Sequence, residues 1–133
     1  MDLFLKLQNM HFLLIEDDDW IRDSLKLFFE SEGCRIVAVE TAEAGLDIAK
    51  RCHFDIIITD YRLPGINGID FIKRLPTTQN GALKILITAY GRKEVMDKAD
   101  SAGIDETLCK PFDSEDIERS LMRLIRDRDH CRE

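Results

Sequence analysis

Five short apolar runs recur along the chain, at residues 12–15, 36–39, 56–58, 85–87 and, more weakly, 107–109. Each is rich in β-branched or large aliphatic side chains and too short for an ordinary helix, so each reads as a strand. The stretches between them carry apolar residues at helical spacing: Ile21, Leu25, Phe28 and Phe29; Ala42, Leu46 and Ala49; Ile69 and Ile72; Val95, Ala99 and Ala102; Ile117, Leu121, Leu124 and Ile125. Gly33 and Gly103 stand where helices end, and Thr41 and Asp113 where they begin, Asp113 with Asp116 three residues on. Before the first helix either Asp18 or Asp19 is expected to cap, with the cap favoured for Asp19. The pattern is βα repeated five times. Strict alternation of this kind predicts an α/β protein, a doubly wound parallel five-stranded sheet with helices on both faces, because each crossover returns over the sheet with the same hand.

With 133 residues, 44% of them hydrophobic and 34% charged, the chain has material for one packed domain, expected over residues 10–126. Residues 1–9 read as a loose extension whose apolar part is far too short to span a membrane, and the highly charged tail 127–133 is expected to fray. A formal net charge of -7 argues against direct binding of nucleic acid, which needs clustered Lys and Arg, and favours a divalent cation as guest. Cys34, Cys52, Cys109 and Cys131 form no C-x-x-C pair, so they are expected to be reduced thiols of a cytoplasmic protein, with Cys109 buried and inert. His11, His53 and His130 have no partner at ligand spacing, and Trp20, Phe28 and Phe29 read as helix packing.

In doubly wound sheets, reactive groups collect at the carboxyl ends of the strands. Here the first strand runs into Glu16, Asp17, Asp18 and Asp19, the third ends on Asp60, the fourth on Thr88, and the fifth on Lys110 and Pro111. Like charges 4 Å apart repel by about 4 kcal/mol at an effective dielectric near 20, so Glu16, Asp17 and Asp60 invite a cation. Oxygen ligands open to water suit Mg²⁺. Asp60, delivered by a strand apolar throughout, is a candidate nucleophile toward phosphorus, with Lys110 and Thr88 as donors to the phosphoryl oxygens.

At this constellation the chain resembles the receiver domains of two-component response regulators. The resemblance covers residues 11–126 and rests on the acidic pair Glu16-Asp17, the segment Ile58-Thr59-Asp60-Tyr61-Arg62-Leu63-Pro64-Gly65 with Gly68 following, Ile87-Thr88-Ala89, and Lys110-Pro111-Phe112. It implies the flavodoxin-like strand order 2-1-3-4-5, with the crevice between the first and third strands. It also implies that Asp60 accepts a phosphoryl group from a histidine kinase or phosphotransfer protein. Glu16, Asp17, Asp60 and the backbone carbonyl of Arg62 would hold Mg²⁺, or Mn²⁺ in its place. Thr88, Ala89 and Lys110 would bind the phosphoryl oxygens, the peptide before Pro111 would be cis, and Arg62 and Tyr90 would tune hydrolysis of the acyl phosphate. The domain would then switch affinity for a downstream effector or its own output domain, or pair as a homodimer, through the fourth helix, fifth strand and fifth helix of the repeat. That face carries Lys93, Glu94, Asp97, Lys98, Arg119 and Arg123. It implies no turnover enzyme, no direct nucleic acid and no membrane, and either a single-domain regulator or a receiver excised from a longer protein.

Two positions depart from the pattern. Glu16 stands where Asp is commoner, and Thr107 where the family has the Tyr or Phe whose rotation reports phosphorylation. Thr107 is small and β-branched, which removes that aromatic swing and leaves Tyr90 as a substitute lever. Two alternatives remain. One is a phosphate-independent interaction module of the same fold, which Thr107 favours. The other is an aspartyl-phosphate phosphohydrolase resembling the haloacid dehalogenases, which lacks support because its second acid would fall at Arg62.

Overall fold

The computed structural model describes residues 3–89 and 93–131. Its elements in chain order are α1 (Leu3–Leu7), β1 (His11–Ile15), α2 (Asp19–Ser31), β2 (Arg35–Val39), α3 (Ala42–Ala49), β3 (Ile56–Asp60), α4 (Gly68–Lys73), a 3₁₀ turn (Thr77–Gln79), β4 (Leu83–Thr88), α5 (Lys93–Ser101), β5 (Glu106–Cys109) and α6 (Ser114–Cys131). The sheet is parallel throughout, in the order β2-β1-β3-β4-β5. The five expected strands and the helices between them are all present.

Alternation along the strands divides the core in two. Phe12, Leu14, Ile56, Ile58, Ile85 and Ile87 meet Leu25 and Phe29 of α2 and Ile117, Leu121 and Ile125 of α6. Leu13, Ile15, Ile57 and Leu86 face the other way, onto Ala42 and Ala49 of α3, Ile69 and Ile72 of α4 and Ala99 of α5. Every residue of β3 is buried, as expected of a central parallel strand covered on both faces.

Helix ends follow their sequence signals with one exception. Thr41 Oγ1 accepts from the amide of Ala44 at 3.1 Å. Asp113 and Asp116 cap each other reciprocally, the amide of Asp116 donating to Asp113 Oδ1 at 2.9 Å and that of Asp113 to Asp116 Oδ2 at 3.0 Å. Gly33 (φ 86°) and Gly103 (φ 84°) terminate α2 and α5 in the left-handed region that glycine enters without a steric penalty. The exception is α2. Its cap is Asp18, whose Oδ1 accepts from Ile21 N at 3.0 Å, while Asp19 begins the helix and pairs with Arg22 instead.

Near both ends the described residues hold more helix than the sequence suggests. The expected loose extension over residues 1–9 holds the helix α1, whose Leu7 is buried in the α2/α6 side of the core. The expected frayed tail continues α6 through Cys131, and Arg128 donates from Nη2 to the Gly81 carbonyl at 2.5 Å. In both places long-range contacts hold the segment: besides the burial of Leu7, Arg35 Nη2 donates to the Asn9 carbonyl at 3.2 Å, a tie that local composition does not signal. Cys109 is exposed rather than buried, because β5 is an edge strand.

Candidate functional site

The carboxyl ends of the strands are held by backbone bonds that continue the ladder past the last strand residues. Glu16 N donates to Val39 O at 3.0 Å, Tyr61 N to Ile87 O at 2.7 Å and Lys110 N to Thr88 O at 2.8 Å. The segments after β1, β3 and β5 therefore leave the sheet in fixed directions. Gly68 tightens the arrangement further. A Cβ at this position would fall 2.2 Å from the backbone oxygen of Asp60, so only glycine lets α4 start this close to the end of β3.

On this frame the structure brings together Glu16, Asp17 and Asp60, whose carboxylate oxygens lie within 4.8 Å of one another. Glu16 and Asp60 are buried and Asp17 is exposed. Lys110 reaches in from the end of β5, its Nζ donating to Asp60 Oδ2 at 3.0 Å and to Glu16 Oε1 at 3.3 Å. Three carboxyl groups thus face one ammonium. Burial, then a hydrogen bond and charge from Asp60, push the Glu16 carboxyl up to about 8, against the opposing pull of Lys110. Burial also works against the Lys110 ammonium, but its hydrogen bond to Asp60 and the charges of Asp60 and Glu16 outweigh it and raise its pKa above the ordinary lysine value.

Beside the acids lies a cavity of about 150 Å³ lined by Asp60, Arg62, Thr88, Ala89 and Lys110. Thr88 is buried, and the Lys110-Pro111 peptide is cis. Hard carboxylate oxygens at an edge open to solvent form a donor set that fits a divalent cation. The same edge combines an acid, a hydroxyl and an ammonium around a space large enough for a tetrahedral anion.

The remaining predicted positions are distributed as follows. Thr107 is half-buried on β5, in register with Leu86. Tyr90 lies outside the described residues, as do the side chains of Lys93 and Glu94. On the expected output face, Asp97 and Lys98 are exposed, Arg123 forms an ion pair with Glu106, and Arg119 lies 3.7 Å from Asp116. Trp20 is not packed. It is 81% exposed and lines, with Phe28, Lys110, Pro111 and Phe112, a groove of about 500 Å³ that adjoins the site. Sequence reasoning missed Arg22, whose Nη1 donates to the Glu16 carbonyl at 3.1 Å. A basic residue on the first turn of a helix that opens within a run of four acids was the available signal.

Comparison with known proteins agrees with this geometry. The transcriptional regulatory protein FixJ of Bradyrhizobium diazoefficiens is 29% identical over 116 residues, which are 87% of this chain and 57% of that protein. Sporulation initiation phosphotransferase F of Bacillus subtilis is 26% identical over 119 residues, 90% of this chain and 96% of that protein. A solved structure of a Burkholderia pseudomallei response regulator, with a phosphorylated aspartic acid, calcium ion and citrate, superposes with a TM-score of 0.79 at 26% identity, covering 85% of this chain and 66% of that one. The chain spans about half the length of FixJ and of the Caulobacter vibrioides cell cycle regulator CtrA, at 57% and 51%. The family described as the response regulator receiver domain matches residues 12–122, and with its five strands in the order 2-1-3-4-5 the chain belongs to that family.

Proposed function

We propose that Asp60 accepts a phosphoryl group from a histidine kinase or phosphotransfer protein, and that the domain thereby switches its binding to a downstream effector, to an output domain or to a second copy of itself. The observation that carries this reading is the Lys110 ammonium 3.0 Å from Asp60 Oδ2, at the wall of the cavity that Thr88 and Ala89 complete. A carboxylate oxygen of Asp60 attacks phosphorus, an acyl phosphate forms, and the bond to the donor nitrogen breaks, its electron pair leaving with the imidazole. Lys110 places positive charge, and Thr88 a hydroxyl donor, beside the space the phosphoryl oxygens enter.

Glu16, Asp17, Asp60 and the carbonyl of Arg62 are the groups that would hold Mg²⁺, with Mn²⁺ as a substitute. When bound, the cation neutralises charge on the phosphoryl oxygens. Arg62, which lines the cavity, tunes access of water to the acyl phosphate on this reading, and Tyr90 is assigned the same role. The protein works as a switch and not as a turnover enzyme, in the cytoplasm, without nucleic acid or membrane as direct partner. Among the described residues no helix is long and apolar enough to cross a membrane.

Incubation of the wild type and Asp60→Asn with a small phosphodonor and Mg²⁺, followed by intact mass measurement, tests the assignment. A single phosphoryl adduct on the wild type alone is expected; an adduct on both proteins or on neither refutes it. Thr107 favours a second reading, a phosphate-independent interaction module, since β5 offers no aromatic ring there to change position. Binding of a phosphoryl mimic that changes partner affinity or oligomeric state decides for the switch.

A further inference from the structure

Arg22 lies in the first turn of α2, beside the acidic corner. Its Nη1 donates to the Glu16 carbonyl at 3.1 Å, its Nη2 donates to Asp19 Oδ1 at 2.5 Å, and Nη2 stands 3.6 Å from Glu40 Oε1. One side chain, only 14% exposed, thus joins the end of β1, the start of α2 and the turn after β2.

The Glu16 carbonyl belongs to the peptide that links Glu16 to Asp17. Successive side chains of an extended chain point to opposite faces, yet the Glu16 and Asp17 oxygens lie within 4.8 Å of each other and of Asp60. The orientation of that peptide brings them together. It is held on one flank by the bond from Glu16 N to Val39 O at 3.0 Å and on the other by Arg22. Because Asp17 is exposed, packing contributes little to the direction of its side chain, and the backbone has to supply it.

We propose that Arg22 is a positioning residue for cation binding: by clamping the Glu16 carbonyl against Asp19 and Glu40, it presents the Glu16 and Asp17 carboxylates to one ion. The inference rests on the reading of Glu16, Asp17 and Asp60 as cation ligands. A guanidinium fork can serve a carbonyl and two carboxylates in one plane, whereas a lysine has a single, strongly hydrated nitrogen. Charge alone predicts the reverse effect, because a guanidinium near a divalent cation repels it and its removal should tighten binding. The sign of the change therefore separates positioning from electrostatics.

Mn²⁺ binding by the full chain, followed through the electron paramagnetic resonance signal of the free ion and checked by Mg²⁺ competition, reads that sign. Arg22→Gln should raise the dissociation constant about tenfold, the scale on which groups that orient metal ligands act. Arg22→Lys, which keeps the charge, should remain clearly weaker than wild type. Ile72→Val, a core change away from the site, should lower the melting temperature and leave the dissociation constant unchanged. Affinity that is unchanged or tighter in Arg22→Gln overturns the proposal, as does full rescue by Arg22→Lys, or equal weakening in Ile72→Val. If circular dichroism shows that Arg22→Gln is unfolded, the lysine variant decides by the same criterion. A wild type that binds no Mn²⁺, or an Asp17→Asn variant that binds it as well as wild type, overturns the reading of the acidic trio itself.

Discussion

Asp55 and Asp60 bracket a single strand, yet their surroundings differ in kind. At the amino end, Asp55 is consumed by the sheet: its Oδ2 accepts from His11 N at 2.8 Å, its amide donates to His11 O at 2.8 Å and its carbonyl accepts from Leu83 N at 2.9 Å. At the carboxyl end, Asp60 Oδ2 meets the ammonium of Lys110, with Glu16 and Asp17 close by. The lysines repeat the contrast. Lys84 donates to the carbonyls of Gln79 and Ala82, and burial lowers its pKa, whereas Lys110 sits between two carboxylates and its pKa is raised. Backbone partners are fixed and satisfy a polar group permanently. Side-chain partners of unbalanced charge do not, and on the proposed reading they give way to an ion or a phosphoryl oxygen. The amino edge is a structural bracket, and the carboxyl edge is where the proposed site lies.

The comparison breaks most completely if the two aspartates behave alike. Asp60→Asn should abolish phosphoryl uptake from a small donor, while Asp55→Asn should retain it and lose about 1 kcal/mol of stability, as judged by urea titration. An Asp55 variant that is folded yet takes up no phosphoryl group would erase the distinction.

Glu16 provides a pH test of the carboxyl edge. Its folded pKa, about 8, lies above the ordinary value of 4.5, so the folded protein holds this proton more tightly than the unfolded chain does. Without metal, stability should therefore fall as pH rises from about 4.5 to about 8, because deprotonation favours the unfolded chain in that window. Urea titrations in a chelator should show this slope, and Glu16→Gln should flatten it. Lys110 acts outside that window: its raised pKa contributes stability that is complete below the ordinary lysine value and is lost only at higher pH.

Smaller effects probe each edge's scaffold. Gln79 is buried at the amino edge, where its Oε1 accepts from Phe54 N at 3.1 Å and its Nε2 donates to Ala49 O at 2.9 Å and Cys52 O at 2.6 Å. Gln79→Ala strands these groups and should reduce stability by about 3 kcal/mol in chemical denaturation, with phosphoryl uptake unchanged wherever the variant is folded. Gly68→Ala, at the carboxyl edge, should lose about 2 kcal/mol and also slow phosphoryl uptake, since the added methyl group meets the Asp60 carbonyl. Normal uptake by Gly68→Ala would show that the backbone at Asp60 tolerates displacement.

Most of the architecture was legible because central parallel strands such as residues 56–58 are apolar on both faces, and their helices carry periodic stripes. The site was legible for a related reason: strand ends deliver Glu16, Asp60, Thr88 and Lys110 to one edge, so order along the chain becomes proximity in space. What escaped depends on contacts that leave no local period. Leu7 is buried by distant elements, Arg128 finds a carbonyl 47 residues away, and Gln79 bonds across 25 to 30 residues. Asp18 caps α2 while Asp19 engages Arg22, a division of roles that two adjacent aspartates do not signal. Exposure of Trp20 and Cys109 reflects which faces and edges lack neighbours, a property of the assembled layers.

The most direct test maps the phosphoryl group to its residue. After reaction with a small phosphodonor and Mg²⁺, borohydride reduction converts an aspartyl phosphate to homoserine, which peptide mass spectrometry locates. Homoserine at position 60 alone is the predicted result; homoserine at position 55, 17 or elsewhere, or none at all from a protein that carries the adduct, would contradict it.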